Sequence, residues 1–240
     1  MSAVLVAPGA LEPGKTVRLS PDEAHHLRVR RVPSESRVRL LDGSGMVGLG
    51  SAREADGGWE VSVESVTAVP PPQELVLAAG GGDRERFAWL VEKATELGAT
   101  RIVPIETERS RSVSGRVRPE HVERLTRRMF EALKQSGGAW APRLDGPTAF
   151  TDALELGRDC TRWLASVSDE HVPATITNGP MAFLVGPEGG LTTNERDQAL
   201  RGGWHPIRLA AATLRFETAA LAALAHAAAA RARVARSEEQ

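Results

Sequence analysis

The sequence predicts a two-domain α/β protein, with a small β-rich domain over residues 1–70 and a larger domain over residues 73–240 built on a mostly parallel sheet. Three observations lead to this prediction. Short strand-like runs separated by turn residues fill the N-terminal segment. Consecutive prolines at 70–72 can continue neither a helix nor a central strand. Beyond them, strand-like and helix-like segments alternate, which is typical of a parallel sheet covered by helices on both faces.

The N-terminal segment predicts four strands and one short helix. The strands are expected at residues 4–6, 37–41, 46–52 and 59–66, with glycine-containing turns between the last three. Ser20, Pro21 and Glu23 form a capping-box pattern with proline at the first helical position, so the helix should begin there. A small antiparallel barrel is the natural closure of these strands.

The segment after the prolines predicts five strands and five helices. The strands are expected at 75–79, 101–105, 163–167, 182–185 and 207–209, and the helices at 84–97, 121–134, 149–156, 194–200 and 214–234. Thr192 or Thr193, followed by Glu195, marks one helix start, and Gly98 marks one helix end. The single cysteine, Cys160, excludes an intrachain disulfide and is expected in the core.

Two turns in the C-terminal third are candidates for ligand binding. Gly186, Gly189 and Gly190 follow a buried strand, and glycine lets a ligand lie against bare backbone. Residues 207–214 begin as a strand and lose all bulk at three alanines before a long alanine-rich helix. Because open α/β sheets bind ligands at the carboxyl ends of their strands, the two turns could clasp one small molecule. The alternative, that each turn is an ordinary connection, stays open.

Composition and charge narrow the class of protein. The chain has 41% hydrophobic and 25% charged residues, no apolar run long enough to span a membrane and no signal-peptide pattern, so a cytoplasmic protein is expected. The formal net charge is -1, but residues 25–39 hold five arginines against Glu35, and residues 101–143 are also rich in arginine. Two basic segments on a neutral chain predict one basic face suited to RNA, although solvated helices would look the same.

Several familiar catalytic patterns are absent from the sequence. No dinucleotide-binding fingerprint follows the first strand of the larger domain, the chain contains no nucleophile elbow, and its six histidines have no metal-ligand spacing, so no metal is expected. Arg215 and Glu217, at the start of the last helix, remain as candidate catalytic residues. A cation in a first helical turn opposes the helix dipole, which suggests that Arg215 faces Glu188, Glu217 or a substrate anion.

Several short motifs, spread along the whole chain, occur together in this sequence. They are Gly186-Pro187-Glu188-Gly189-Gly190, Leu209 with Leu214-Arg215-x-Glu217-Thr218-Ala219, Lys93-Ala94-Thr95-Glu96-Leu97-Gly98, Arg109-Ser110, Glu131-Ala132 with Gln135-Ser136, and His26, Arg31 and Asp42-Gly43. In this combination the chain resembles the RsmE-type 16S rRNA uridine N3-methyltransferases of the SPOUT superfamily. The chain departs from the family pattern at Gly81, where a lysine is usual, at Gly138, where an arginine is usual, and at Ala210, where a glycine is usual.

The resemblance implies a PUA-like N-terminal barrel, a C-terminal SPOUT domain with a trefoil knot, and a homodimer through the C-terminal helices. It implies S-adenosylmethionine as cofactor and no membrane. The cofactor-binding residues that it implies are Ala165, Ser166, Leu184, Val185, Gly186, Pro187, Glu188, Gly189, Gly190, Leu209, Ala211, Ala212, Thr213 and Leu214. The small ribosomal subunit with its 16S rRNA is the implied partner, contacted by Arg28, Arg30, Arg31, Arg109, Arg111 and Arg116.

The implied reaction is direct methyl transfer to uracil N3, which needs no covalent intermediate. Arg215 would stabilise the charge that develops on O2 or O4, and Glu217 would accept the N3 proton, with Glu188 in reserve. Two other functions remain open from the residues. One is a knotted methyltransferase that acts on another RNA, and the other is a catalytically silent RNA-binding module of the same fold.

Overall fold

The computed structural model describes residues 1–110, 117–167 and 178–238, with side chains described as far as residue 233. The chain divides into two compact units. Unit 1 comprises Met1–Pro72 and Phe130–Ala141, and unit 2 comprises Gln73–Met129 and Pro142–Gln240. The boundary after Pro72 falls at the predicted proline run. The return of residues 130–141 to unit 1 was not predicted.

Unit 1 is built on one five-stranded sheet. Its elements are β1 (Ser2–Leu5), β2 (Thr16–Arg18), α1 (Pro21–Val29), β3 (Ser36–Leu41), β4 (Met46–Ala55) and β5 (Gly58–Ala68). The strand order is β1-β3-β4-β5-β2. The expectation of a purely antiparallel sheet is wrong, because β1 pairs with β3 in parallel. Strand β2 was missed, since three residues are too few to show an alternating pattern.

The core of unit 1 follows from alternation along β3, β4 and β5. Inward-facing residues such as Val38, Leu40 and Val61 are fully buried together with Leu27 of α1. Strands β4 and β5 shift register between Leu49 and Gly50, which marks a β-bulge. A Cβ atom at Gly50 would lie 2.4 Å from the Ser62 carbonyl oxygen, so this crossing requires glycine.

The start of α1 only half follows the capping-box prediction. The Ser20 hydroxyl accepts a hydrogen bond from the Glu23 amide at 3.2 Å, as predicted. The Glu23 carboxylate does not return to the cap. Its Oε1 accepts instead from Lys134 Nζ at 2.8 Å, and both side chains are at least nine-tenths buried within unit 1. A long-range ion pair therefore replaces the local hydrogen bond, because burial leaves Lys134 in need of an anion.

Unit 2 is built on a seven-stranded parallel sheet, which confirms the predicted α/β class. Its strands are β6 (Leu75–Ala79), β7 (Arg101–Glu106), β8 (Arg143–Leu144), β9 (Thr148–Ala149), β10 (Thr161–Ala165), β11 (Met181–Val185) and β12 (His205–Ile207). Its helices are α2 (Arg84–Glu96), α4 (Phe150–Ala153), α5 (Thr193–Arg201) and α6 (Phe216–Glu238), and α3 (Val122–Ser136) runs across the unit boundary after a short 3₁₀ turn at Pro119–His121. The strand order is β12-β10-β11-β6-β7-β8, and β9 also pairs with β7.

Hydrophobicity sets the order of the strands in this sheet. All five residues of β6 and all five of β11 are buried, as their uninterrupted apolar sequences require at the centre of a parallel sheet. Strands β10 and β12 each begin and end two residues earlier than predicted. The last two residues of each predicted strand belong to the loop that follows it. None of the helices in the described ranges is long and apolar enough to cross a membrane.

Two smaller expectations for unit 2 are corrected. The helix expected at 149–156 shrinks to α4, because the Glu155 and Leu156 amides bond three residues back and so tighten the chain into turns. Cys160 is only partly buried beside the core, not inside it. Its Sγ lies 3.6 Å from the Glu74 carboxylate, and burial together with that charge raises the pKa of the thiol to about 11.

Candidate active site

A cavity of about 400 Å³ opens where the parallel strands of unit 2 end. Its wall is made by the loops that follow β10, β11 and β12, together with the first turns of α6. Because all these strands are parallel, their carboxyl ends meet at one edge of the sheet. We call this space the first cavity.

Most of the predicted cofactor residues lie on this wall. Those that line the first cavity are Ala165, Ser166, Val185, Gly186, Pro187, Glu188, Gly189, Gly190, Leu209, Ala212, Thr213 and Leu214. Leu184 is fully buried within β11, and the side chain of Ala211 is exposed beside the cavity. The wall also contains Leu164, Val167, Leu191, Arg196, Ala210, Phe216 and Ala219, which sequence reasoning did not select. Most of these are neighbours in sequence of selected residues, so wider windows would have included them.

The glycine turn after β11 has the backbone geometry that its sequence predicts. The Gly190 amide donates to the Pro187 carbonyl at 2.7 Å, and Gly190 has a φ of 69°, in the left-handed region that favours glycine. A Cβ atom at Gly186 would lie 3.1 Å from Leu191 Cγ and 3.2 Å from the Leu191 amide nitrogen. The turn therefore stays tight and leaves its backbone facing the first cavity.

Glu188 joins this turn to the glycines that follow β6. Its Oε2 accepts a hydrogen bond from the Gly82 amide at 3.1 Å. A Cβ atom at Gly82 would lie 2.6 Å from the same oxygen, and one at Gly80 would lie 2.9 Å from Pro187. The close approach of the two loops thus explains two of the three consecutive glycines.

Gly81 is explained by aromatic packing. A Cβ atom at this position would lie 2.4 Å from Cδ2 of Phe87, a fully buried residue of α2. Phe87 in turn stacks on Phe216, with 6.5 Å between the ring centroids. The lysine that the family resemblance leads us to expect at this position would therefore require Phe87 to move.

A buried carboxylate fixes the loop after β7 to the start of α5. Glu195 Oε2 accepts from the Thr192 amide at 2.9 Å, while the Thr192 hydroxyl accepts from the Glu195 amide, so a complete capping box forms. Glu195 Oε1 accepts from the Glu108 amide at 2.7 Å. The next residue, Arg109, donates a hydrogen bond to the Gly189 carbonyl and lines the first cavity. Arg109 was predicted as an RNA contact, and only the sheet topology shows it beside this cavity.

Arg215 and Glu217 lie on a second, shallower cavity of about 530 Å³. Its wall consists of Glu85, Arg86, Trp89, Arg215, Glu217 and Thr218. The neighbouring residues Leu214 and Phe216 line the first cavity. Along residues 214–217, the side chains therefore alternate between the wall of the first cavity and the wall of the second.

The partner expected for Arg215 is not a carboxylate of the described chain. Glu217 is 7% exposed, and its Oε1 lies 3.6 Å from a guanidinium nitrogen of Arg86. Glu188 is occupied by the Gly82 amide. Within residues 1–110, 117–167 and 178–233, Arg215 forms no ion pair, and its side chain is exposed. Neither Glu188 nor Glu217 is therefore the anion that Arg215 was predicted to face.

The predicted RNA contacts in unit 1 lie on the surface around the end of α1. Arg28 is exposed on α1, Arg30 caps its C-terminal end, and Arg31 follows with a φ of 52°. Arg111 and Arg116 lie outside the described residues. Among the residues that are described, no group of histidine, cysteine and carboxylate side chains could hold a metal ion.

A parallel sheet with a glycine-lined cavity at its carboxyl edge defines an α/β protein that binds a small molecule. The sequence of residues 69–228 matches the protein-family model described as an RNA methyltransferase domain. The chain belongs to this RNA methyltransferase family and, within it, to the ribosomal RNA small subunit methyltransferase E group.

Similar proteins support this assignment over most of the chain. The ribosomal RNA small subunit methyltransferase E of Synechocystis is 31% identical over 229 residues, which cover 88% of this chain and 72% of that protein. A crystal structure of the same enzyme from Neisseria gonorrhoeae, bound to S-adenosyl methionine, is 27% identical with a TM-score of 0.84 and covers 94% of this chain and 95% of that one. The crystal structure of a probable rRNA methyltransferase from Porphyromonas gingivalis is 30% identical with a TM-score of 0.79, covering 98% and 100%.

Proposed function

We propose that this protein uses S-adenosylmethionine to methylate N3 of one uridine in the 16S rRNA of the small ribosomal subunit. The observation that carries the proposal is the first cavity, whose wall is formed by the residues that match the family's signature. Because small ribosomal subunits are cytoplasmic, the proposal also assigns the protein to the cytoplasm.

The first cavity suits S-adenosylmethionine in size and chemistry. Its volume of about 400 Å³ falls within the range of small-molecule sites. The wall offers backbone groups at Gly186 and Gly190 for the polar parts of the cofactor, and apolar surface at Leu209 and Leu214 for the adenine. When bound, the cofactor would supply a methyl group from its sulfonium, and the electron pair of the broken S–C bond would stay on sulfur.

The chain must prepare uracil N3 to accept that methyl group. N3 carries a proton near neutral pH, so its lone pair becomes available for the new N–C bond only as the proton leaves. Arg215 lies exposed at the second cavity, where it can stabilise charge on O2 or O4. Glu217 is proposed to accept the proton, because within the described chain its Oε2 is buried without a hydrogen-bond partner. Glu188 is held by the Gly82 amide and is the reserve.

Replacing Gly186 with valine is expected to weaken S-adenosylmethionine binding by about tenfold to a hundredfold. The new Cβ would contact Leu191 at 3.1 Å, and overpacking of this kind costs roughly 1–3 kcal/mol. Isothermal titration calorimetry measures the effect. Gly146→Val is the matched control, because a Cβ atom at Gly146 meets nothing within 4 Å. Equal affinities for the two variants would contradict the assignment of the first cavity.

We propose that unit 1 fixes the enzyme on folded RNA through Arg28, Arg30 and Arg31. All three are exposed cations in the basic segment 25–39. Arg109, Arg111 and Arg116 are proposed to contact phosphates from the second domain.

The double variant Arg30→Glu, Arg31→Glu is expected to bind RNA more weakly. The slope of log K against log [salt] should fall in magnitude by roughly two, because two fewer phosphates are neutralised and fewer counterions are released on binding. Filter binding across a salt series measures this slope. Arg18→Glu with Arg53→Glu, also in unit 1, changes the net charge equally outside the basic segment and serves as control. A parallel fall in S-adenosylmethionine affinity would contradict the division of labour between the domains.

We also propose the family's finer architecture for this chain. The division into residues 1–70 and 73–240 would correspond to a PUA-like barrel and a SPOUT domain. A C-terminal trefoil knot is proposed from the family resemblance, and it would involve the segment that leaves the sheet at its edge strand β12 and returns through α6 to pack on β6 and β11. A homodimer through α6 is supported by that helix's outer face, where Ala225 and Ala229 are exposed and small enough for close approach.

The proposal is tested by radiolabelled methyl transfer from S-adenosylmethionine to small subunits that lack the modification. Free 16S rRNA, large subunits and tRNA are the parallel substrates. We expect label only in small-subunit RNA, mapping to N3 of one uridine. Label in tRNA or large subunits would indicate a methyltransferase with another target. No label, together with no cofactor binding, would indicate a catalytically silent RNA-binding module.

A further inference from the structure

The second cavity contains residues that the proposed methyl transfer does not yet use. Trp89 and Arg86 belong to α2, and across this cavity they face Arg215, which directly precedes α6, and Glu217 in the first turn of α6. Trp89 is 44% exposed, which is unusual for so large an apolar side chain. An exposed indole ring beside two cations is the arrangement that stacks a nucleobase.

Glu217 holds Arg86 in place at this cavity. The Glu217 side chain is 9% exposed and that of Arg86 is 40% exposed, so the carboxylate lies beneath the guanidinium group. The pairing cancels part of the Arg86 charge, which makes this a poor site for phosphate alone. An ordered guanidinium group that keeps free N–H donors is well suited to a neutral carbonyl oxygen.

We propose that the second cavity receives the target uracil, with Trp89 stacking on its face and Arg86 and Arg215 donating to its two carbonyl oxygens. This inference rests on the proposed function, because it assigns the substrate side of the same reaction. Uracil N3 lies between O2 and O4, and both oxygens share the negative charge when the N3 proton leaves. Two cations that face each other across the cavity therefore bind the base and stabilise the form that reacts.

The same arrangement selects uracil against cytosine. Cytosine carries an amino group in place of O4, so one arginine would face a hydrogen-bond donor with its own donors. A donor facing a donor leaves both unpaired, which costs binding free energy once the bound RNA excludes water from the cavity. Arg86 and Arg215 are thus specificity-determining residues as well as binding residues.

Position along α6 connects this site to the first cavity. Leu214 and Phe216 line the first cavity, whereas Arg215 and Glu217 line the second. One turn of backbone thus separates the proposed methyl donor from the proposed acceptor base. Phe87, stacked on Phe216, fixes the side chain between them.

The first test is nuclear magnetic resonance of protein labelled with ¹⁵N-tryptophan. Five indole signals are expected, and the one absent from Trp89→Phe is that of Trp89. A short single-stranded RNA with one uridine should shift the Trp89 signal, and the same RNA with cytidine at that position should shift it less. No shift of Trp89, or equal shifts with both RNAs, would overturn the proposal. This readout does not require methyl transfer, so it stands apart from a failure of the proposed function.

The second test is steady-state methylation of small subunits by variants. Trp89→Ala should raise the KM for RNA about tenfold or more, and Trp89→Phe should recover most of the loss because it retains a stacking ring. Arg86→Gln should lower kcat as well, with unchanged affinity for S-adenosylmethionine. Arg84→Gln is the matched control, since Arg84 lies on the same helix but pairs with His121 and is not part of the cavity. Equal effects of Arg84→Gln and Arg86→Gln would show that Arg86 acts only through its positive charge near the RNA, and would overturn its assignment as a uracil-binding residue.

Discussion

Glu217→Gln is expected to lower kcat for methyl transfer by about a hundredfold or more, which is the typical contribution of a positioned general base. Glutamine keeps the shape of the side chain but accepts a proton poorly, so the N3 proton would have to leave unaided. The KM for S-adenosylmethionine should not change, because Glu217 lines the second cavity and not the first. Steady-state kinetics with small subunits as substrate measures both constants.

Two comparisons separate proton transfer from the support that Glu217 gives to Arg86. If Glu217 only positioned Arg86, Glu217→Gln would raise the KM for RNA and Arg86→Gln would reproduce its whole effect. A fall in kcat that exceeds that of Arg86→Gln would support the general base. Glu92→Gln is the matched control, because this carboxylate on α2 pairs with Lys93 and Arg128 outside both cavities. An unchanged kcat for Glu217→Gln would contradict the proposed proton acceptor.

Lys134→Met is expected to destabilise the protein by about 3–5 kcal/mol. The Lys134 side chain is 4% exposed, and its Nζ lies 2.8 Å from both Glu23 and Glu131. Removing it leaves the Glu23 carboxylate buried without a cation, which is the costly way to break a buried ion pair. Urea unfolding followed by circular dichroism measures the loss of stability.

The double variant Glu23→Leu, Lys134→Met should recover most of that stability, because replacing both charges by apolar groups leaves no unpaired charge. Lys93→Met is the matched control. Lys93 also contacts two glutamates, Glu92 and Glu96, but at 32% exposure, so the expected cost is at most about 1 kcal/mol. Equal losses for Lys93→Met and Lys134→Met would show that burial does not decide the cost.

Local sequence was sufficient for the longer elements and for the position of the glycine turn, but not for the two- and three-residue strands β2, β8 and β9. The buried runs that became β6 and β11 are recognisable because continuous hydrophobicity at the centre of a parallel sheet needs no distant partner. The start of α5 was recognisable because the Thr192 capping box lies within four residues. The clustering of the predicted loops at one sheet edge follows from parallel topology alone, and the structure brings twelve of the predicted residues to one wall.

Only the tertiary structure decided which partners the charged and aromatic side chains contact. Glu23 meets Lys134, which is 111 residues away, and Arg109 of the loop after β7 meets the Gly189 carbonyl of the loop after β11. Glu217 takes Arg86 of α2 as its partner, and Trp89 of the same helix lines the cavity beside it. No sequence period encodes such pairs, because a charge is satisfied by whichever group the fold brings within a few ångströms. The sequence by itself therefore determined which loops form the wall of the first cavity, and only the folded sheet decided which charged and aromatic side chains lie beside them.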